Sequence, residues 1–376
     1  LSGNFFSSTW QEWKKIGREL KPAWSGLVLV AGVAFVSRYL QSLITDPALS
    51  KTISEILVAV LLGLFIRNFV GIDPRSEAGI KFAVQRVLRL GIILLGLRLS
   101  LQDVLATGAS ALLLVAICIT LALSMAYAAG RLFNVPPRLA ALIGVGTAIC
   151  GNSAIVATAP VIEAKDEEVS FAIATITLFG LVAVIVFPWL GQLLGLSDRV
   201  FGLWAGTAVN DTSQVVAVGA AHSSLALSVA TVVKLTRNTL MAPLIVLFGV
   251  AYRRGQQNRV SEKAVGAARF SWAKLVPGFV LGFLLMSVIR SVGVALGVLP
   301  QNLSQPGQLT AAAGTLKAVD EIAKFAILMA LAGVGLNTNL ASLRKIGYKP
   351  LIVGLCVAIL LAAASLSLIL FTPLGK

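Results

Sequence analysis

Two segments of the chain place small and polar residues in the middle of long apolar runs. They read Gly144-Val-Gly-Thr-Ala-Ile-Cys-Gly-Asn-Ser-Ala154 and Gly206-Thr-Ala-Val-Asn-Asp-Thr-Ser-Gln214. Such residues are costly in lipid unless they face protein or a wet cavity. Transporters use them to interrupt a membrane helix, so that free backbone N–H groups and positive dipole ends meet an anion near the midplane. We therefore predict helix breaks near Cys150–Asn152 and Asn210–Thr212.

The same two segments also resemble each other. Gly206 lies 60 residues after Gly146, and identical residues follow at this offset. The identical pairs are Thr147/Thr207, Ala148/Ala208, Ser153/Ser213, Val156/Val216 and Ala157/Ala217. Close helix packing through small residues is the alternative explanation. Two matched segments, one of which carries the ionisable Asp211, favour a binding site.

A third apolar run carries two cations. It reads Val232-Val-Lys-Leu-Thr-Arg-Asn-Thr-Leu-Met-Ala-Pro243, so that Lys234 and Arg237 share one helix face. Buried cations at this depth need a cavity or a counter-charge. Asp211 is the predicted partner of Lys234. Such a pair either couples transport to an ion or only locks two helices together, and both interpretations stay open at this point.

We predict that the three segments form one substrate site. The substrate-binding residues are Gly146, Thr147, Cys150, Gly151, Asn152, Ser153, Thr207, Asn210, Thr212, Ser213, Gln214, Lys234 and Arg237, with Asp211 as the ion-coupling residue. No catalytic residue is predicted, because the chain has neither an H-E-x-x-H nor a G-x-S-x-G motif. The three cysteines lack the spacing of metal ligands. We therefore expect no enzyme, no metal and no cofactor.

The elements that position these residues must be membrane helices. The chain is 57% hydrophobic and only 12% charged, whereas a soluble domain carries about 25% charged residues. Lys and Arg outnumber Asp and Glu by 31 to 16, which gives a net charge of +15. On a soluble protein this excess would suggest nucleic acid, but in a membrane protein it fits short basic loops on the cytoplasmic side. We expect a polytopic all-α membrane protein that binds no nucleic acid.

A helix needs about 20 apolar residues to cross the bilayer. About eleven such stretches run over 23–40, 52–68, 79–99, 108–130, 138–162, 168–195, 200–221, 225–251, 274–297, 317–337 and 350–371. Basic residues concentrate in alternate gaps between them, which contain Lys14, Lys15, Arg18, Lys21, Arg67, Arg75, Arg131, Arg199, Arg253, Arg254, Arg259, Lys263, Arg269, Arg344, Lys345 and Lys349. This alternation predicts eleven crossings, with a cytoplasmic N-terminus and an external C-terminus.

The chain divides into an N-terminal segment and one transmembrane domain. Residues 1–22 are predicted to form an interfacial amphipathic helix, because aromatic and basic residues alternate there at helical spacing. Residues 23–376 form the transporter domain, and 252–273 is a basic cytoplasmic loop. No phosphate-binding loop motif occurs, so energy must come from an ion gradient or a solute gradient.

A second internal similarity joins Leu95-Gly-Leu-Arg-Leu-Ser-Leu101 to Val334-Gly-Leu-Asn-Thr-Asn-Leu340. By the count of crossings these two segments run in opposite directions, as an inverted repeat requires. The two interrupted spans, by the same count, run in the same direction. The two similarities therefore do not belong to one simple linear repeat, and their relation is left open.

Three strings, in this order, carry a resemblance to a known family. Gly-Thr-Ala-Ile-Cys-Gly-Asn-Ser-Ala, Val-Asn-Asp-Thr-Ser-Gln-Val-Val and Val-Lys-Leu-Thr-Arg resemble the YeiH family of bacterial inner-membrane proteins, the sulfate exporter family, over roughly 50–370. The resemblance implies a secondary transporter of a small oxyanion or sulfonate, sulfite or sulfate being the usual assignment. It also implies an architecture distantly similar to the sodium/proton antiporter and bile-acid symporter folds. That family often has His at the position of Asn210, so no proton-carrying role is expected for this residue.

Two functions compete at the end of this reasoning. The leading hypothesis is an ion-coupled carrier of a small anion, with a proton or sodium as coupling ion, because two central cations outnumber one central Asp. The alternative is a cation/proton antiporter that uses Asp211 paired with Lys234. The expected partners are the anion, the coupling ion and the lipid bilayer. A homodimer is one option for the assembly.

Overall fold

The computed structural model describes residues 3–44, 54–255, 278–300, 311–343 and 347–372. Every regular element within these ranges is helical. Six helices there are long and apolar enough to cross a membrane: Ala23–Ser42, Leu101–Leu132, Asp166–Leu193, Ser224–Val250, Gly278–Ala295 and Tyr348–Phe371. The expectation of an all-α membrane protein is confirmed.

The described residues form sixteen α-helices. In chain order they are α1 (Gly3–Ser42), α2 (Glu55–Phe65), α3 (Glu77–Phe82), α4 (Leu88–Leu95), α5 (Leu101–Leu132), α6 (Pro137–Ala148), α7 (Asn152–Thr158), α8 (Asp166–Leu193), α9 (Asp198–Ala208), α10 (Thr212–His222), α11 (Ser224–Thr239), α12 (Met241–Gly255), α13 (Gly278–Ala295), α14 (Ala311–Asn337), α15 (Leu340–Leu343) and α16 (Tyr348–Phe371). Single π-helical turns, Ile66–Val70 and Ala83–Val87, and 3-10 turns, Pro74–Ser76 and Gly96–Arg98, lie between the early helices.

The chain forms two compact units. Unit 1 comprises residues 1–94 and 306–341, and unit 2 comprises residues 95–305 and 342–376. In unit 1, α2 and α14 approach closely where Gly63 faces Gly335, so that a Cβ on Gly63 would lie 3.1 Å from the Cα of Gly335. This is the small-residue contact by which membrane helices pack.

Two predicted features lie partly outside the described residues. The helix α1 runs unbroken from Gly3 to Ser42, so its backbone joins the predicted interfacial segment 1–22 to the first predicted span. The interfacial location of residues 1–22 stays a prediction, since their side chains are not described. Most of the predicted basic loop 252–273 also lies outside the described residues, which stop at 255.

In unit 2, the first interrupted segment turns back on itself. The side chain of Arg138, at the start of α6, forms an ion pair with Glu163, which follows α7, at a distance of 3.8 Å. A straight helix would separate these two residues by about 37 Å. The helix breaks at Ile149–Gly151, where Gly151 has φ +67°. We call α6, α7 and the connection between them hairpin 1, and Ile149–Gly151 its tip.

The second interrupted segment turns back in the same way. The carboxylate Oδ1 of Asp198, at the start of α9, lies 3.5 Å from Nε2 of His222, at the end of α10. Both arms also contact one short stretch of α11, since a Cβ on Gly202 would lie 2.7 Å from the Cβ of Val229 and one on Gly219 would lie 2.8 Å from the Cα of Leu227. We call α9, α10 and their connection hairpin 2, and Val209–Asp211 its tip.

The long helix α8 shows that the two hairpins enter from opposite ends of unit 2. Its 28 residues span about 42 Å. Its first turns contact the base of hairpin 1, where Phe171 and Leu139 line one cavity. Its last turns contact the base of hairpin 2, where the rings of Phe187 and Trp204 stack at 4.2 Å. We name the end that carries the base of hairpin 1 face A and the end that carries the base of hairpin 2 face B.

The tips of both hairpins reach the middle of α8. The amide of Asn152 donates to the hydroxyl of Thr177 at 3.3 Å, and the side chain of Gln214 packs against Gly180. Helices α11 and α12 together run from face B to face A: α11 begins two residues after His222, and Gly249 of α12 approaches Val161 near the base of hairpin 1.

This arrangement corrects the predicted topology. The two breaks exist, but each begins one residue earlier than predicted, at Ile149 and Val209. The prediction that 138–162 and 200–221 cross the membrane in the same direction is wrong, because both segments return to the face from which they start. Hydropathy could not reveal this, since each hairpin is as long and as apolar as a crossing helix. The reversal at tip 1 depends on the backbone conformation of Gly151, which residues with a side chain rarely adopt.

Candidate functional site at the hairpin tips

Lys234 of α11 joins the two tips through main-chain carbonyls. Its side chain is fully buried, and its ammonium donates to the carbonyl oxygens of Ile149 at 2.6 Å and Val209 at 3.0 Å. A third, short hydrogen bond goes to the carbonyl of Asn210. These carbonyls follow the C-terminal ends of α6 and α9, where the helix dipoles are negative. The three donors of the ammonium are therefore used on the two tips.

Arg237 lies one turn further along α11 and binds the last turns of the same two helices. Its Nε donates to the carbonyl of Ala148 at 2.5 Å and its Nη1 to the carbonyl of Thr207 at 2.7 Å. Its Nη2 donates to the carbonyl of Thr147. The guanidinium is fully buried, and its planar fork allows it to reach both helices at once.

The internal similarity at an offset of 60 residues has a direct counterpart here. The carbonyls of the matched residues Thr147 and Thr207 both accept hydrogen bonds from Arg237. The matched positions Ile149 and Val209 both accept from Lys234. Each cation therefore binds corresponding atoms of hairpins that enter from opposite faces.

Asp211 is not the partner of Lys234, which corrects the predicted ion pair. Its carboxylate instead caps α10, since Oδ1 accepts from the backbone N–H of Ser213 at 2.9 Å and from the Ser213 hydroxyl at 2.7 Å. Its own N–H donates to Gln214 Oε1 at 3.1 Å, which completes a capping box. The cap satisfies the free N–H groups at the start of α10, while Lys234 is already saturated by carbonyls.

The charges at the tips do not balance. Lys234 and Arg237 contribute two positive charges, and neither forms an ion pair among the described residues. Asp211 contributes one negative charge at the tips, since a Cβ on Gly151 would lie 3.2 Å from its Oδ2. The fixed charges of the site therefore leave a surplus of one positive charge in a region of low dielectric constant.

Several polar groups around the tips remain without a partner. The buried side-chain oxygens of Asn152, Asn210 and Asn238 accept no hydrogen bond from the described residues. Asn152 and Thr212 are partly exposed and Ser153 is exposed. Since buried polar groups are nearly always hydrogen-bonded, and since an amide presents either N–H or C=O when it turns over, these groups are suited to a polar ligand.

Comparison with known proteins identifies the family of this chain. A family model described as Conserved hypothetical protein 698 matches residues 25–354 of the chain, and the curated relatives carry the name UPF0324 membrane protein. The chain belongs to this UPF0324 family. The match includes both hairpins and both cations, and it confirms the resemblance to the YeiH family that the three sequence strings indicated.

The UPF0324 relatives align over nearly their whole length. The chain is 37% identical to a UPF0324 membrane protein of Fusobacterium nucleatum over 331 residues, which cover 86% of this chain and 91% of that protein. It is 38% identical to one of Streptococcus pyogenes over 349 residues, which cover 91% and 96%. A relative from Clostridium tetani is 33% identical over 346 residues, which cover 90% and 94%. These names establish a membrane protein and state no substrate.

Some predicted binding residues of this UPF0324 protein stabilise the tips through contacts with other parts of the protein. The hydroxyl of Thr207 lies 2.5 Å from that of Ser365 on α16, and the hydroxyl of Thr147 donates to the carbonyl of Ile143 at 2.9 Å. Gly146 packs against Ile155. Ser213 and Gln214 belong to the cap of α10, and Cys150 is buried with its Sγ 3.5 Å from Met241 Sδ.

The predicted set of binding residues leaves out three groups near the tips. They are Thr177 on α8, which accepts from Asn152, Asn238 on α11, whose amide donates to Thr212 at 3.4 Å, and Ser365 on α16. Thr177 and Ser365 are isolated hydroxyl residues inside apolar helices, which is a weak signal. The spacing of Asn238 predicts that it shares one helix face with Lys234 and Arg237, although it was not among the predicted binding residues.

Proposed function

We propose that this UPF0324 protein is a secondary transporter of a small anion, of the sulfite, sulfate or organosulfonate class, in the bacterial inner membrane. The observation that carries the proposal is the meeting of two opposed hairpin tips beside two buried cations and one carboxylate. The tips contact α8 about halfway along its length, which corresponds to the midplane of a bilayer that α8 spans.

The anion is attracted by the field of the cations and contacted by other groups. Lys234 and Arg237 donate to main-chain carbonyls, so they neutralise the negative ends of α6 and α9 rather than reach into open space. The partly exposed side chains of Asn152 and Thr212 and the exposed Ser153 provide hydrogen bonds to the oxygens of the anion. The predicted binding residues thus have two roles. Lys234 and Arg237 supply the electrostatic field, and Asn152, Ser153 and Thr212 contact the anion.

The hairpins also suggest how access alternates between the two sides. The two hairpins enter from opposite faces, and their tips carry matched residues that are bound by the same two cations. Inverted repeats that meet at a central site are the basis of alternating access in many carriers. We infer that the two hairpins are such an inverted pair, within the predicted architecture of interrupted helices. A movement of one hairpin away from its partner would open the site to one face.

The cation/proton antiporter is less well supported by the same geometry. It requires Asp211 to exchange a cation for a proton beside Lys234 as its ion-pair partner. The carboxylate of Asp211 is used as a cap by Ser213, and the ammonium of Lys234 is saturated by carbonyls. The surplus charge is positive, which favours an anion as the substrate.

A ligand screen tests the proposal. Thermal unfolding of the purified protein is measured with sulfite, sulfate, thiosulfate or taurine, and with sodium or lithium chloride for comparison. We expect one or more of these anions to raise the midpoint temperature, because a ligand that binds only the folded state stabilises it. Asn152→Ala should weaken this effect, whereas Thr120→Ala, which removes a hydroxyl bonded within α5, should not. Stabilisation by lithium or sodium alone would contradict the proposal and favour the antiporter.

A further inference from the structure

The surroundings of the Lys234 ammonium are those of a bound monovalent cation. Its hydrogen-bond partners are carbonyl oxygens of Ile149, Val209 and Asn210. All three belong to the non-helical tips, which come from different parts of the chain. Carriers with interrupted helices use the same group types, unwound carbonyls and C-terminal ends of half-helices, to coordinate sodium.

These carbonyls need a positive charge between them. They follow the negative ends of two helix dipoles, and they converge on one buried point. Without a cation they would repel each other and lose their hydrogen bonds in a region that excludes water, which is costly for each group. The other charged groups near this point are Arg237, which binds its own set of carbonyls, and Asp211, which caps α10.

We propose that Lys234 is a tethered cation that takes the place of a mobile monovalent ion between the hairpin tips. In the natural protein the two tips then pack together without a bound sodium or potassium ion. Removal of the side chain beyond Cβ should create a site for a free monovalent cation, of the alkali-metal or primary ammonium class. The inference goes beyond the proposed function, because it concerns the tips themselves and not the transported substrate.

The size of the lysine side chain allows a specific test. Lys234→Ala removes three carbon atoms and the ammonium, which together equal propylammonium, so this ion should fill the vacated space and restore all three hydrogen bonds. Potassium and sodium should restore the charge without the packing. Lys234→Met removes the charge but keeps the space filled, and it is therefore the matched control that leaves no room for an ion.

The experiment measures thermal unfolding of the full chain in detergent. Choline chloride is the reference salt, because choline has no N–H to donate, and it is replaced by sodium, potassium or propylammonium chloride. The wild-type midpoint should not respond to this exchange. The midpoint of Lys234→Ala should be lower in choline and should rise by about 5 °C or more in propylammonium, with smaller gains in potassium or sodium. Lys234→Met should be lower in every salt, without a gain.

Several results would overturn the inference. A wild-type midpoint that depends on sodium or potassium would show that a mobile ion is already present. An equal gain for Lys234→Ala and Lys234→Met would show a general salt effect. If folded Lys234→Ala protein cannot be purified either with or without propylammonium, then the free ion does not replace the tethered one. Chloride is the anion throughout, so a failure here leaves the anion screen unaffected.

Discussion

The contacts of Arg237 at the tips could not be predicted from the types of residue in the sequence. Its partners are the carbonyls of Thr147, Ala148 and Thr207, and every residue of a chain has a carbonyl. The presence of two cations in an apolar helix was readable from sequence, and so was the need to compensate them. The sequence offered Asp211 as the compensating group because it is the nearby carboxylate, whereas the structure uses the ends of two broken helices.

Asp211 leads to a prediction at the same scale. Asn caps a helix about as well as Asp, so Asp211→Asn should retain the fold. The substitution removes a negative charge beside the anion site, so the affinity for sulfate should rise on the order of tenfold. The measurement is sulfate binding by calorimetry at a single neutral pH.

The matched control for this measurement is Asp198→Asn. Asp198 lies at the base of the same hairpin, 3.5 Å from His222, so its substitution should leave the sulfate affinity of the tips unchanged. If Asp211→Asn and wild type show the same affinity, Asp211 is only a helix cap.

Gly151 allows a second prediction for a single residue. Its backbone has φ +67° and ψ −125°, and a Cβ there would lie 3.2 to 3.4 Å from atoms of Asp211. Gly151→Ala should therefore cost about 1 to 3 kcal/mol of stability and also reduce anion binding. Gly195 also has positive φ, but it has open space around its Cβ position, so Gly195→Ala should lower stability without changing the affinity. Equal affinities in the two variants would place the anion away from the tips.

At the scale of elements, the position of a break was predictable and its direction was not. Small and polar residues in an apolar run predicted the interruptions to within one residue. Whether the chain continues or reverses depends on contacts formed far along the sequence, such as the ion pair of Arg138 with Glu163. A hydropathy window is the same for a crossing helix and for a hairpin of equal length. The parity of basic loops did not reveal the error, because two missed reversals restore the original alternation.

The hairpins predict which connections are exposed on the same side. In a variant without Cys118, Cys150 and Cys356, single cysteines at Arg131 and Glu163 should both react with a membrane-impermeant maleimide from the cytoplasmic side. Arg131 lies in the last turn of α5, a few residues before α6, while Glu163 pairs with Arg138 across the base of hairpin 1. The experiment compares intact cells with inverted vesicles. Labelling of the two positions from opposite sides would restore 138–162 as a crossing helix.

At the scale of the whole molecule, the excess of basic residues predicts how unit 2 is oriented in the membrane. Face A carries most of the basic residues near the ends of its helices, namely Arg131, Arg138, Lys165, Arg253, Arg254 and Lys349. The acidic cluster between α7 and α8 shares this face, but acidic residues contribute little to orientation. Face B carries Arg199 beside hairpin 2. From the positive-inside rule we therefore predict that face A lies in the cytoplasm, with hairpin 1 entering from the inside and hairpin 2 from the outside.

The orientation can be tested with reporter fusions along the chain. Because α16 begins beside Lys165 at face A and its 24 residues suffice to cross the bilayer, alkaline phosphatase fused after Gly375 should be active outside the cytoplasm. A fusion at Lys263 should be inactive. A fusion at Ser197, between α8 and α9, distinguishes the two topologies. Eleven crossings would place it in the cytoplasm, whereas a re-entrant hairpin 1 places it outside, so an active fusion at Ser197 and at Gly375 supports the opposed hairpins. An inactive fusion at Ser197 with an active one at Gly375 would mean that 138–162 crosses the membrane, and the two tips would then belong to parallel helices.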